Sequence, residues 1–455
     1  MTLRAVLRQA DETSDQALET LCQLVAQPSI STRNEGVQQT ALLLEEIMEA
    51  AGIRTRLLQT DGQPAIYGEI AGPQGAPTVL FYGHYDVQPP EPLELWHTPP
   101  FEPTIRSGRI FGRGVADNKG QHLCHILAVR AWREAAGELP VTVKFLIEGE
   151  EEMGSPHLAD LVRDQRDLLR ADLVYTSDGG MHPSGRPAVY FGVRGLLYVE
   201  LEIRGANADA HSGNKGNVLP QPAWELVDLL HSLRGPNGRA AFPGFYDGVR
   251  SPTPNEQTML QEIPFDRQSF LAEHGLDESS ISDGVDYYRR LTFEPTFNIA
   301  GLASGYTGEG TKTIIPARAV AKIDFRLVAD QDPNAVFEAL VRAVAKHNPR
   351  AEVRQLAATP PSLTDPSLPA SETVIGAVRD SWKVEPVVSA LGGTLPDYVF
   401  TQILGIPSVI VPYANHDEHN HAPNENLRLD CFFSGIRTTL HVLDALGVWS
   451  TKDAT

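Results

Sequence analysis

The segment "PTVLFYGHYDV" is apolar at nearly every position up to Gly83, and "VTVKFLI" repeats the pattern further on. A strand with one wet face alternates apolar and polar residues, and these runs do not. They suit strands buried on both faces of a sheet that helices cover. Between them "GQHLCHILAVRAWREAAG" is helix-like, and "DLVYTSD" follows as another short strand. Upstream, "DQALETLCQLVAQ" and "QQTALLLEEIMEAAG" carry apolar residues at helical spacing, the second closed by Gly52. Strands alternating with helices indicate an α/β sheet. In such sheets functional groups collect where strands end.

The pattern changes after Arg194. "LLYVELEIRG" alternates, "PAWELVDLLHSLRG" is helical, and "PTFNIAGL" and "TIIPARAVAKIDFRLV" read as strands. "PNAVFEALVRAVAKH" is helical and "AEVRQLAA" a strand. This β-α-β-β-α-β order is ferredoxin-like, with a long insertion between its first helix and second strand. The Pro-rich "ATPPSLTDPSLP" then returns the chain to an α/β pattern. We therefore expect a catalytic domain, residues 1–194 and 357–455, interrupted by a smaller α+β domain, residues 195–356.

Composition narrows the function. A formal charge of −20 opposes binding to nucleic acid, whose phosphates need a basic footprint, and disfavours an anionic membrane surface. Divalent cations would offset part of it. The three cysteines (Cys22, Cys124, Cys431) form no CxxC pair and suit a reducing compartment. With no apolar leader at the N-terminus and no run of membrane-spanning length, the expectation is a soluble cytoplasmic protein.

Residues with metal-ligand chemistry fall at the ends of several expected strands. His84 and Asp86 close the first apolar run. Asp117 lies between a Gly-rich turn and a helix start in "FGRGVADNKGQ", and Asp178 ends "VYTSD". "EGEEEMGS" sets Glu148, Glu150, Glu151 and Glu152 directly after a strand, and "NHDEHNHAPNENL" offers His416, His419 and His421. Singly, each has a plain reading: a buried histidine, an N-cap, a turn residue, a solvated acidic loop. Their gathering at strand ends of one α/β domain does not.

The ordered motifs GHYDVQP, GRGVADNKG, EGEEEMGS, SDGG, HSG and HAPNE resemble those of the dinuclear zinc peptidases, a family that includes carnosinase-type dipeptidases, acetylornithine deacetylase, succinyl-diaminopimelate desuccinylase and carboxypeptidase G. The resemblance spans His84 to Glu425. It implies a zinc-peptidase α/β catalytic domain whose mixed sheet is flanked by helices, and makes the ferredoxin-like insertion a lid and dimerisation domain. It implies that Asp117 bridges two divalent ions, that His84 and Asp178 hold one, and that Glu152 and His421 hold the other. Zinc suits this His/carboxylate set, with Mn or Co as substitutes. Asp86 resembles the aspartate that fixes the imidazole tautomer, and Glu151 the general base. Glu148 and Glu150 stay turn or supporting residues, and His416 and His419 loop residues.

In the lid, "DAHSGNKGN" resembles a motif whose histidine reaches a neighbouring subunit's active site, which makes His211 a transition-state donor in a homodimer. "TKTIIP", "DFRLV" and "GGTLPD" match substrate-binding segments, so Thr313, Arg326 and Thr394 are expected to contact substrate. Arg326 suits a terminal carboxylate, although it could instead make an ion pair across the lid sheet; Thr394 stands where carnosinase-like members carry serine. Aspartate at 178, where deacylases and carboxypeptidases tend to carry glutamate, favours a dipeptidase acting on small peptides. The alternative is an N-acyl-amino-acid deacylase of the acetylornithine deacetylase or desuccinylase type. A third reading is a non-catalytic metal-binding protein on the same fold, against which Glu151 and the full ligand set count.

Overall fold

The computed structural model describes residues 3–278 and 280–449. A nine-stranded mixed sheet forms the larger unit. Its strands lie in the order Arg54–Leu58, Ala65–Ile70, Thr142–Glu148, Thr78–His84, Leu173–Thr176, Ser408–Ile410, Ala188–Val193 and Ser362–Leu363, and Val387–Leu391 also pairs with Ala188–Val193. The middle four, from Thr142–Glu148 to Ser408–Ile410, are mutually parallel. Their carboxyl ends therefore open onto one edge, where His84 and Glu148 are the last strand residues.

The apolar runs are covered on both sides, as their lack of alternation requires. Helix Lys119–Ala136 packs behind strand Thr78–His84 and against helix Leu429–Val448. The approach is close at Gly83, where any Cβ would lie 2.7 Å from the Cβ of His122. A second cluster, built from Leu80, Tyr82, Leu146, Leu161 and Phe400 among others, fills the other face.

The smaller sheet is antiparallel, in the order Asn298–Ser304, Arg318–Leu327, Gly195–Arg204, Glu352–Thr359. Taken in chain order this is second, third, first, fourth, the ferredoxin-like arrangement. Helices Pro222–Leu233 and Pro333–His347 cover one face, burying Ala319, Ala321, Ile323, Phe325 and Leu327. Alternation then puts Asp324 and Arg326 on the opposite face. The run read as one strand from Thr313 is divided at Pro316, which has no N–H to donate. Ile314–Ile315 leaves the sheet and pairs with Ala210–His211. The long insertion is helical, with segments Pro254–Glu262, Arg267–Glu273 and Gly284–Phe293. Leu260, Ile263, Tyr288 and Phe293 pack against Ala188 and Val387 of the large sheet, so the insertion straps the two units together.

The chain leaves the large sheet at Val193 and returns beside its exit, with Ser362 paired to Val193 and Thr359 to Leu196. Gly195 sits in this crossing. A Cβ there would lie 2.6 Å from Thr359 O and from Pro361 N, and backbone cannot rotate away as a side chain can. Among the described residues no helix is long and apolar enough to cross a membrane. Gly195→Ala should destabilise the protein by about 1–3 kcal/mol, the usual cost of overpacking; a lowered midpoint in calorimetry checks this, and an unchanged one contradicts it.

Candidate metal centre

Three strand ends and two long loops converge on Asp117. Its Oδ1 lies 3.1 Å from His84 Nε2 and its Oδ2 3.1 Å from His421 Nε2. Asp178 Oδ2 lies 3.5 Å from His84 Nε2, and Glu152 Oε2 3.1 Å from His421 Nε2. One donor atom each from His84, Asp117 and Glu152 fall within 4.8 Å of one another. The arrangement is thus two-sided, with an imidazole and a carboxylate on each side of one shared aspartate. His84 is fully buried, Asp117 and Asp178 nearly so, and His421 is half-exposed at the rim. His421 has φ +54°, a left-handed conformation unusual for histidine.

The donor set fits divalent cations. Burial pushes the carboxyls of Glu151, Glu152 and Asp178 up, and their negative neighbours add to the effect. Such a group of carboxylates cannot all ionise without countercharge. Burial disfavours a charged His84, but Asp117, Asp178 and Asp86 override it and hold its pKa well above the ordinary value. His421, hydrogen-bonded to Asp117 and Glu152, is pushed up to about 11. The two imidazoles are therefore held in the cationic form by the same carboxylates that would bind metal.

Asp86 does more than its sequence position suggested. Its Oδ1 lies 3.4 Å from His84 Nδ1 and accepts the Glu151 N–H at 3.1 Å, while Oδ2 accepts the Glu152 N–H at 3.1 Å. Asp86 thus orients the imidazole, its carbonyl O lying 3.1 Å from His84 Nδ1, and through its carboxylate the paired glutamates. Gln88 Nε2 donates to Glu152 Oε2 at 2.9 Å. Glu148 is no turn residue. It is buried at the strand end, accepts from Tyr82 Oη and Ser155 Oγ, and is pushed up to about 7 by burial. Glu150 is buried and pairs with His157, while His416 and His419 are exposed.

Two further residues hold the centre, and a third, Glu418, is buried beside it, none having stood out as a candidate. Glu425 Oε1 accepts the Ala116 and Asp117 N–H groups at 2.9 and 3.1 Å, and its Oε2 accepts from Gly114 N and Arg113 Nη1. Gln121 joins three loops, donating to Ala116 O and Gly179 O and accepting from Tyr413 N. Glu418 is buried in the field of Asp117, Glu425 and Asp178, and its carboxyl is pushed well up, chiefly by burial. Glu425 stood inside the quoted HAPNE string and Gln121 directly after the NKG string; Glu418 carried no signal.

The lid residues divide into two groups. Arg326 Nη1 donates to Thr394 Oγ1 at 2.7 Å, so the lid already touches the Gly-rich loop. His211 is exposed, and its Nδ1 accepts the Gly213 N–H. Thr313 is exposed beside it, its carbonyl accepting the Ser212 N–H. Neither His211 nor Thr313 bonds to the cluster around Asp117 among the described residues.

Peptidase family M20/M25/M40 matches residues 80–445. The Cys-Gly metallodipeptidase dug1 of Schizosaccharomyces pombe is 30% identical, over 96% of this chain and 97% of its own. The structure of an M20 family metallo-carboxypeptidase, Sso-CP2, from Sulfolobus solfataricus superposes with a TM-score of 0.91 at 35% identity, covering 95% of this chain and 99% of that one. Human carnosine dipeptidase 1 superposes with a TM-score of 0.83 at 28% identity, covering 98% of this chain and 100% of that one. The chain belongs to peptidase family M20/M25/M40 and has its mixed α/β fold.

Two expectations follow. Asp86→Ala should weaken metal binding about 10- to 100-fold, the usual cost of losing a ligand's supporting partner, as read by chelator competition. The raised pKa values of His84 and His421 mean that the metal-free site holds imidazolium protons at pH 7, which a cation must displace. Zinc titration calorimetry in buffers of different ionisation enthalpy should therefore show net proton release, with affinity falling as pH falls. Buffer-independent heats would contradict it.

Proposed function

We propose that this M20 enzyme, a metal-dependent dipeptidase, works with two divalent cations, zinc or in its place Mn or Co, and with Glu151 as general base. Asp117 would bridge the pair, His84 and Asp178 would complete one site, and Glu152 and His421 the other. The observation that carries this reading is one carboxylate, Asp117, with an imidazole on each of its two oxygens. When bound, the cations supply Lewis acidity to the scissile carbonyl and make water nucleophilic at neutral pH.

Glu151 neighbours a ligand position without bonding to either imidazole, and burial raises its pKa, which makes it a stronger base than an ordinary carboxylate. It takes a proton from the attacking water and delivers one to the leaving amine. Arg326, with Thr394 beside it, receives the peptide's free carboxylate.

His211 ends one strand of the two-stranded ribbon and Thr313 directly precedes the other, bonded to Ser212, so one subunit would contribute both. We assign them to the partner's site in a homodimer, with His211 donating to the developing oxyanion. The lid, residues 195–356 together with the end of its last strand at Thr359, offers a surface for this assembly. Strand Asn298–Ser304 is a sheet edge with Leu302 57% exposed, and helix Pro222–Leu233 exposes 67% of Trp224. An open edge beside apolar side chains is a pairing surface that a second copy would cover. The three free thiols fit a reducing, cytoplasmic setting.

A second reading, a carboxypeptidase acting on longer peptides, is favoured by the likeness to Sso-CP2. It shares the carboxylate grip and differs in tolerating chain on the amino side. A panel of dipeptides, longer peptides and N-acetyl-amino acids on the metal-loaded enzyme separates the readings. Free dipeptides should be the best substrates. Release of C-terminal residues from longer peptides at equal rates would favour the carboxypeptidase, and faster cleavage of N-acetyl-amino acids a deacylase.

Glu151→Gln should lower turnover about 10²- to 10⁴-fold with both metals retained; loss of metal or near-normal kcat would reassign Glu151 and Glu152. Mixing His211→Ala with Glu151→Gln chains should restore activity in heterodimers, since one composite site then has both residues intact. No recovery despite demonstrated subunit exchange would place His211 outside the partner's reaction.

A further inference from the structure

Arg194 stands where the chain passes from the large sheet to the lid, between strands Ala188–Val193 and Gly195–Arg204. It holds residues 392–394 at three points. Its N–H donates to Gly393 O at 3.1 Å, its Nε donates to Gly392 O at 2.8 Å, and its carbonyl accepts from Thr394 Oγ1 at 2.8 Å. The same Thr394 hydroxyl accepts from Arg326 Nη1. Two arginines thus meet at one short loop, one from the crossing point and one from the lid.

The Nη1 and Nη2 atoms of Arg194 have no hydrogen-bond partner among the described residues, although the group is far from free in water. Burial, and after it the charge of Arg326, push the Arg194 pKa down to about 10, while Asp324 opposes. Asp324 lies on the same face of the lid sheet as Arg326, and its Oδ1 accepts from Asn298 Nδ2. Two guanidiniums against one acid leave about one positive charge uncompensated at the seam, in surroundings of lowered dielectric. A guanidinium needed only to shape the loop would be satisfied by its Nε bond. The unused pair of N–H donors is the edge that matches a carboxylate.

We infer that the substrate's terminal carboxylate is held between Arg194 and Arg326, with Arg194 a second specificity-determining residue. The inference rests on the dipeptidase reading. One carboxylate neutralises the surplus charge, so the geometry calls for no second acidic group on the substrate. Because Arg194 belongs to the crossing and Arg326 to the lid, the bound carboxylate ties the two units together. A peptide amide, carrying no charge, would leave both guanidiniums unpaired.

The test compares Gly-Phe with Gly-Phe amide. In Arg194→Gln, kcat/KM for Gly-Phe should fall about 10- to 100-fold, as loss of a charged hydrogen bond implies, chiefly through KM. The amide should change little, and Arg194→Lys should fall between. Because both arginines hold one group, Arg194→Gln in an Arg326→Ala background should cost less than the product of the single effects. Calorimetric binding of the same two peptides to metal-loaded Glu151→Gln enzyme, with and without Arg194→Gln, reads the preference without turnover. A wild type that binds but never cleaves Gly-Phe would defeat the dipeptidase reading while the binding ratio still judges Arg194. Equal losses for acid and amide would reduce Arg194 to a loop support and overturn the inference.

Discussion

The buried Arg113–Glu425 pair is the joint from which the metal centre hangs. Arg113 Nη1 meets Glu425 Oε2 at 2.7 Å with both side chains almost wholly out of water. Such a pair adds little net stability, but breaking it strands a buried charge at a cost of about 3–5 kcal/mol. The architecture exploits that cost. The second oxygen of Glu425 takes the N–H groups of Ala116 and Asp117, so the register of the shared aspartate is set by a residue four positions beyond His421. The loop bearing one imidazole and the loop bearing the shared carboxylate cannot move independently.

This joint explains how so much negative charge is tolerated at the sheet edge. Asp86 and Glu425 are both acidic and both buried, and neither is assigned to metal. Each instead has its oxygens occupied by backbone N–H groups. They form a frame of carboxylates satisfied by the protein. In the inner set Asp178 accepts one backbone N–H, from Gly179, Asp117 and Glu152 meet the imidazoles, and the group awaits cations. Two populations of carboxylate with similar burial thus have different chemistry, set by what donates to them.

Much of this was legible in the chain. Non-alternating runs around Phe81 and Phe145 disclosed strands covered on both faces, and strand ends carrying His84 and Asp178 disclosed where chemistry would gather. The ferredoxin-like order of the lid could be read because its strands alternate cleanly. What escaped depended on long-range contacts. Nothing local distinguishes Glu418 from its exposed neighbour His419, or shows that Gln121 spans three loops. The division of the expected strand at Pro316 was a local signal outweighed by the β-branched residues around it. The strap between Pro254 and Phe293 reads in the sequence only as a long insertion; its helices and their packing on Ala188 and Val387 depend on the fold.

Charge matching separates the work of the two units. In the proposed arrangement the ligand carboxylates Asp117, Glu152 and Asp178, together with Glu151, equal the positive charge of two divalent cations. The loaded centre would then be close to neutral and would exert little net pull on a peptide. It would select for a polarisable carbonyl within reach rather than for a charged terminus. Long-range attraction must come from elsewhere, and the surplus guanidinium charge at the seam is the place that supplies it. An arginine pair holding the carboxylate would act as a ruler from it to the scissile bond. The same ruler serves a dipeptidase and a carboxypeptidase, since both begin counting at the carboxyl end.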